Sequence, residues 1–309
     1  EHTTLKVDEI KIHMPWGDIC GKWWGPKNVR PIVCLHGWMD NAGTFDTLIP
    51  LLPHHLSYLA LDLPGHGLSS WLPDGVFYHS TDFLHMLLMI IKYYDWKKIS
   101  LLGHSMGAIC AFNFSSVFND IVDLAISLDA LKPHVRPTHK ILQSMRNRIP
   151  SYMVADERNR DKNEPPIYTY DEMIEKLHLG TFHSVDQEHC KYLLNRNIKK
   201  SERDPTKYYF SRDNRLKSYN YGFFSQDLNL TLAQEIKCPY LFIKSLSSTY
   251  YEEKRYYDEC IEVMRKNPNF ELYEVEGTHH VHLNDPMKVS GIISDFINKY
   301  RPSQVISKL

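Results

Sequence analysis

Residues 101–107 read LLGHSMG, with Gly103 and Gly107 four apart and Ser105 midway between them, directly after an apolar run that begins at Ile99. A G-x-S-x-G stretch between a strand and a helix is the pattern of a serine held in a strained strand-to-helix turn. The glycines are needed because the serine's neighbours in space must lack bulk. Such a turn projects the hydroxyl beyond the sheet's edge. It also aims the following helix's N-terminus at any negative charge that develops there. The rival reading of the same residues is an ordinary Gly-Ser turn.

The surrounding chain decides between the two. RPIVCLHG (30–37), SYLALDLPGHG (57–67), ISLLGHSMG (99–107) and DLAISLDA (123–130) are apolar runs, three of them ending in glycine-bearing turns. TDFLHMLLMIIKYYDW (81–96) and AICAFNFSSVF (108–118) have helical spacing, and AGTFDTLIPLLP (42–53) also reads as a helix ending at proline. This β-turn-α alternation predicts a parallel sheet covered on both faces. It stops after Ala130 and resumes with PYLFIKSL (239–246), a helix in EEKRYYDECIEVMRK, FELYEVEG (270–277) and a last helix in DPMKVSGIISDFINKY. The core is therefore expected in 1–130 and 236–309, with 131–235 inserted as a cap subdomain. The cap reads as helical at YDEMIEKLHL and SVDQEHCKYLLNRNIKK. KVDEIKIHM and GDICGKWWG alternate in polarity and read as an antiparallel hairpin at the sheet edge.

Composition excludes several classes. The 309 residues carry a formal net charge of −1, which gives no reason to expect nucleic acid or an anionic membrane as partner. The longest apolar stretch, near Phe83–Ile91, is too short to span a bilayer. The stretch after Glu1 shows no basic-then-apolar signal peptide. Six cysteines, at 20, 34, 110, 190, 238 and 260, form no C-x-x-C pair and read as free thiols.

A nucleophilic serine needs a base, an acid and donors for an oxyanion. HGWMD (36–40) follows the earlier strand where a second backbone donor is required, so the donors are expected to be the amides of Trp38 and Met106. EGTHHVHLNDP, after the last strand, offers His279, His280 and His282; His279 comes first after the turn and is read as the base, the other two as supporting residues. No acidic or cysteine residues stand at metal spacing beside them, so no metal and no cofactor is expected. The loop after IKS (243–245), the commoner place for the acid, offers Ser247 and Ser248. Asp129, at the tip of the strand next to Ser105's, is read as the acid and Glu252 as the reserve.

The pieces HGWMD, LDLPGHGLSS, GHSMG and GTHHVHLNDP, in that order, resemble the α/β-hydrolase superfamily. SLDALKP, YTYDEMIEKL, LLNRNIKK, YYFSRDNRLK and CPYLFIKS resemble its serine-hydrolase-like (kraken-like) branch. The resemblance covers nearly the whole chain. It implies the α/β-hydrolase fold, a mostly parallel sheet flanked by helices with an inserted, mainly helical cap. It also implies a Ser–His–acid triad, with the histidine at His279 followed by Pro286, and Asp129 where haloalkane dehalogenases and their relatives carry the acid. Dehalogenases and epoxide hydrolases of this superfamily use an aspartate nucleophile, and Ser105 argues against both. Asp62, Gly65 and His66 of the LDLPGHG loop are read as structural, and His104 as packing beside the serine.

These readings predict a cofactor-free hydrolase of a carboxylic ester or thioester, with a small-molecule acyl substrate. Two alternatives share the residues: a ligand receptor of the same fold with little turnover, and a C–C hydrolase or lyase. The stretch Arg196–Lys217 is rich in Lys and Arg, either as a docking face for an anionic substrate such as an acyl-CoA or as a solvated face with local ion pairs; the second is the commoner case. Tyr152, Met153, Phe223 and Phe224 are expected in an apolar acyl pocket or in the cap's own core. Ser307-Lys308-Leu309 matches the signal read by the peroxisomal import receptor, which implies a peroxisomal location, or a cytoplasmic one where the tripeptide is unused.

Overall fold

A strand with helices on both of its faces must be apolar all round. That is what the short central runs supply. In the computed structural model, which describes residues 5–161, 163–218 and 222–303, nearly every side chain of 32–35, 58–61, 99–104, 122–128 and 240–245 is buried. In chain order the strands are β1 (Val7–Met14), β2 (Gly17–Trp24), β3 (Ile32–Leu35), β4 (Tyr58–Leu61), β5 (Ile99–His104), β6 (Val122–Leu128), β7 (Ile198–Lys200), β8 (Tyr208–Phe210), β9 (Tyr240–Ser245) and β10 (Phe270–Val275). The helices are α1 (Ser80–Tyr93), α2 (Met106–Val117), α3 (Thr138–Arg160), α4 (Tyr170–Gly180), α5 (Cys190–Asn197), α6 (Gln226–Glu235), α7 (Lys254–Met264), α8 (Val281–Asn284) and α9 (Met287–Tyr300).

The main sheet has the order β1-β2-β4-β3-β5-β6-β9-β10. The expected hairpin forms its edge: β1 pairs antiparallel with β2, and β2 with β4. All remaining neighbours are parallel. Successive residues of a strand enter opposite layers. Leu101 packs with Phe83, Phe112 and Tyr257 from α1, α2 and α7, whereas Leu102 packs with Ile293 and Phe296 of α9. This is the α/β-hydrolase fold. All six cysteines are buried and unbridged. Among the described residues no helix is long and apolar enough to cross a membrane.

Two local expectations fail for physical reasons. Residues 42–53 do not form one helix but two 3-10 turns, Ala42–Phe45 and Ile49–Leu51. Pro50 is tolerated only at the start of the second turn, and Pro53 lacks the N–H to prolong it. The first turn is pinned by side chains: Asn41 Oδ1 accepts from Gly43 N–H at 2.9 Å and Asp62 Oδ1 from Ala42 N–H at 2.8 Å. The helix expected over 184–200 is only α5, after which the chain enters β7 and pairs antiparallel with β8.

Between β6 and β9 the chain makes α3 to α6 and the β7–β8 ribbon. α4 starts where TYDE permits: Thr169 and Glu172 cap each other's backbone N–H groups. Its apolar side packs Met173 and Leu177 against Val185, Leu193, Leu194 and Leu283, so this small core is tied to the loop that carries His279. α6 lies against α2 and α7. Ser307-Lys308-Leu309 falls outside the described residues.

Candidate active site

Ser105 joins β5 to α2 with φ 52° and ψ −115°, a left-handed backbone that L side chains rarely adopt. The flanking glycines are there for space. A Cβ at Gly103 would stand 2.3 Å from Gly107 O, and one at Gly107 would stand 2.0 Å from Leu35 O in β3. Both neighbours are backbone and cannot yield. The motif's spacing therefore follows from how closely α2 crosses the tips of β3 and β5.

His279 follows β10 and reaches back over Ser105. Its Nε2 lies 2.8 Å from Ser105 Oγ and its Nδ1 lies 2.5 Å from Asp129 Oδ2. A carboxylate only accepts, so Nδ1 carries the ring proton and the Nε2 lone pair accepts from the serine hydroxyl. Burial lowers the His279 pKa below 6.5 although Asp129 pushes it back up, so the ring is neutral at pH 7. Burial alone would push the Asp129 carboxyl up. The hydrogen bond and charge of His279, with the Lys244 ammonium, outweigh it and hold the carboxyl below the usual range.

Asp129 is fixed from its other side by two donors, Lys244 Nζ at 2.7 Å and Ser245 N–H at 2.8 Å. Sequence reasoning missed Lys244. The signal was present: a lysine inside the otherwise apolar PYLFIKSL is buried, and a buried ammonium calls for an anion nearby. Ser248 Oγ lies 3.5 Å from His279 Nδ1, so the loop after β9 does reach the histidine, with a serine. Glu252 does not. Its two oxygens accept from Lys132 Nζ at 2.5 Å and Val135 N–H at 2.6 Å, in a fully buried pair.

The other histidines hold the site's walls. His104 Nε2 donates to His279 O at 2.9 Å, and its Nδ1 stands 3.5 Å from Asp40 Oδ2. His280 Nε2 donates to the same Asp40 oxygen at 3.1 Å and its Nδ1 lies 2.8 Å from Ser184 Oγ. Asp40, His104 and His280, from three separate places in the chain, thus gather in one buried cluster that no sequence spacing announces. His282 packs away from the serine, 2.9 Å from Thr44 Oγ1. His66 Nε2 accepts from Met39 N–H at 3.3 Å, and Asp62 holds Arg196 and the Ala42 and Leu68 amides. The LDLPGHG loop is thus the buttress of the HGWMD loop. The amides of Trp38 and Met106 have no intramolecular acceptor among the described residues, and both residues line the cavity over Ser105. Trp38 also spans to the inserted segment, its Nε1 donating to Leu216 O at 2.7 Å.

That cavity, of about 1110 Å³, lies between the strand tips and the inserted segment, which contributes Tyr168, Leu177, Phe182 and Phe210. Tyr152, Met153, Phe223 and Phe224, expected in an acyl pocket or in the cap's own core, do not line this cavity, and Tyr152 is buried. Tyr152 stacks on Phe77 at 3.9 Å between ring centres, and Met153 and Phe223 are exposed. Half of the eight cations of that stretch are tied up in ion pairs, Arg196 with Glu9 and Asp62, Arg203 with Glu164, Lys207 with Asp204, and Arg215 with Asp156 and Asp213.

The chain is similar to known proteins along nearly its whole length. Residues 30–166 match the family described as alpha/beta hydrolase fold. A Drosophila melanogaster protein named "Probable serine hydrolase" is 38% identical over 297 residues, 94% of this chain and 88% of its own length. A Danio rerio "Serine hydrolase-like protein" is 33% identical, over 99% of this chain and 94% of its own. Among solved structures, a hypothetical protein of Pseudomonas aeruginosa PAO1 superposes with a TM-score of 0.80 at 25% identity, over 94% of this chain and 99% of its own. A thioesterase domain from the curacin biosynthetic pathway superposes with a TM-score of 0.75 at 20% identity, over 93% and 99%, a likeness of fold. With relatives of that identity matched almost end to end, the chain belongs to the serine-hydrolase-like proteins of the α/β-hydrolase fold.

Proposed function

We propose that the protein hydrolyses a carboxylic ester or thioester through an acyl-enzyme on Ser105. The observation that carries the reading is the continuous hydrogen-bonded line from Ser105 Oγ through His279 to Asp129, opening into a cavity large enough for a substrate. Ser105 Oγ attacks the carbonyl carbon as its proton passes to His279 Nε2. Asp129 then faces an imidazolium and stabilises it without taking a proton. The carbonyl oxygen, now anionic, is received by the amides of Trp38 and Met106. Collapse breaks the bond to the alcohol or thiol, which leaves with the proton from His279. A water then repeats the sequence, giving a proton to His279 and hydroxide to the acyl carbon; collapse breaks the bond to Ser105 Oγ, the carboxylic acid product leaves, and His279 returns the proton to the Ser105 hydroxyl.

In this reading residues 131–235 act as the cap that closes the acyl site, and neither metal nor cofactor takes part. Delivery to peroxisomes through Ser307-Lys308-Leu309 belongs to the same proposal; a fluorescent N-terminal fusion that stays diffuse in cells overturns that part. The central test is Ser105→Ala. It is expected to abolish labelling by a fluorophosphonate probe and to lower ester turnover on the order of 10⁴–10⁶-fold. Labelling that survives the substitution overturns the assignment. Tight ligand binding without turnover by the unaltered protein would make it a receptor instead.

A further inference from the structure

The charges around the cavity do not balance. Of the carboxylates that line it, Asp40 is taken by His280, Glu252 by Lys132 and Glu253 by Arg255. Arg136, Lys140, Lys176, Arg212 and Lys217 line it too, and among the described residues none of the five has a carboxylate within ion-pair distance. They come from three places in the chain: the segment after β6 and the start of α3, α4, and the stretch after β8. Their convergence is therefore a property of the fold and not of one lysine-rich run.

Arg212 is the sharpest case. Its neighbours in sequence, Asp213 and Arg215, pair with each other. Arg212 turns the other way and lays its guanidinium on the Phe210 ring, 4.4 Å from the ring centre. Its Nε is shielded from solvent and has no acceptor among the described residues. Burial pushes its pKa down to about 10, with no compensating anion. Lys217 is lowered as well, by burial and then by Arg212 and Arg158, so like charges are held together. A shielded guanidinium without a partner costs stability, and buried charges are ordinarily paired. Its planar fork is the shape that grips phosphate or carboxylate oxygens two at a time. His134, which also lines the cavity, has its Nε2 likewise buried without a partner among the described residues, and burial holds that ring neutral.

We propose that the substrate is an ester or thioester carrying a phosphate or carboxylate, and that Arg212, backed by Lys217, Lys140 and Arg136, binds that anionic group while the acyl carbonyl sits at Ser105. The inference rests on the serine-hydrolase reading and names the substrate class of that site. At about 1110 Å³ the cavity is at or above the top of the range for small-ligand pockets, ~300–1,000 Å³, which leaves room for both ends of such a molecule.

The test compares anionic substrates with smaller or esterified uncharged counterparts, using the full chain. One arm sets butyryl-CoA against the butyryl thioester of N-acetylcysteamine, which lacks the phosphates. The other sets p-nitrophenyl hemiglutarate against its neutral methyl ester. The unaltered protein is expected to prefer the anionic member of at least one pair by about 30-fold or more in kcat/KM. The arm that shows the preference tells phosphate from carboxylate. Arg212→Gln should erase most of that preference through KM, and Arg212→Lys should restore part of it, because the charge returns without the fork. Tm should hold or rise in Arg212→Gln, since an uncompensated charge is removed. Equal kcat/KM within both pairs, or an equal loss on charged and neutral substrates in Arg212→Gln, overturns the proposal. If no ester is cleaved at all, the hydrolase reading fails separately. Calorimetric titration of coenzyme A and of glutarate into Ser105→Ala then decides the subsite alone, with binding lost in the Arg212→Gln background expected and equal or absent binding overturning it.

Discussion

Two strand tips compete to orient His279. The tip of β6 carries Asp129, whose carboxylate is buried, held by Lys244 and the Ser245 amide, and 2.5 Å from the histidine. The loop after β9 reaches the same nitrogen but brings Ser248, at 3.5 Å, and its buried carboxylate, Glu252, is turned toward Lys132. The strands are neighbours in register, with Leu128 opposite Ile243, so either tip lies within reach. What separates them is the charge environment. β9 supplies the ammonium of Lys244 to its neighbour's carboxylate instead of a carboxylate of its own. The two carboxylates thereby stand in different surroundings, one against His279 and one in the wall.

The largest way to break the comparison is Asp129→Asn. The amide keeps the shape but cannot hold His279 in the tautomer that frees Nε2. A loss of about 10⁴-fold in kcat is expected, with the folded state retained by circular dichroism. Loss of the carboxylate also removes what raises the His279 pKa. In the unaltered protein, kcat/KM should fall as pH drops through a midpoint below 6.5, because His279 must be neutral to accept the proton. In Asp129→Asn the residual activity should show that midpoint moved lower still. An unchanged kcat would transfer the acid's role away from Asp129.

Glu252→Gln attacks the other carboxylate and should have the opposite profile. It leaves the Lys132 ammonium fully buried without its charge partner, so stability should fall by about 3–5 kcal/mol in denaturant unfolding. Turnover of the protein that remains folded should stay within about tenfold of the unaltered enzyme. A loss as large as that of Asp129→Asn would make Glu252 the acid. Between these extremes stands Lys244→Met. It deprives Asp129 of the ammonium that pairs with it while filling the same space, and about a 10–100-fold loss in kcat is expected, with Glu252 untouched.

How much of this was legible in the sequence follows from how local each feature is. The strands could be read because a run buried on both faces needs no partner to be recognised, and Ser105 because its glycines stand within two residues. His279 followed from its place after the last strand. The carboxylate that meets His279 did not follow in the same way. Choosing between Asp129 and Glu252 requires knowing which side chain faces which across strands 115 or more residues apart in sequence, and only Lys244 hinted at it. α3 left no stripe to read, since of its 23 residues only Tyr152, Ala155 and Asp156 are buried. Arg212 was hidden for a related reason. In a run of alternating charges, which cation is left without a carboxylate is decided by backbone direction, not by composition.

The smallest expected effect belongs to Ser248→Ala, and it tests whether the loop after β9 has any part in orienting the base. At 3.5 Å the Ser248 hydroxyl is at the outer limit of hydrogen bonding to His279 Nδ1, whose proton is already given to Asp129 at 2.5 Å. Deleting it should change kcat by no more than about threefold. The same deletion in the Asp129→Asn background is the more informative measurement. With the carboxylate gone, the hydroxyl is the nearest remaining acceptor for the Nδ1 proton, and its loss should then cost a further ~3–10-fold. Such an excess in a double-mutant cycle would mean that both tips address one nitrogen and that β6 prevails by its charge. Strict additivity would mean that Ser248 only fills the space where the loop passes.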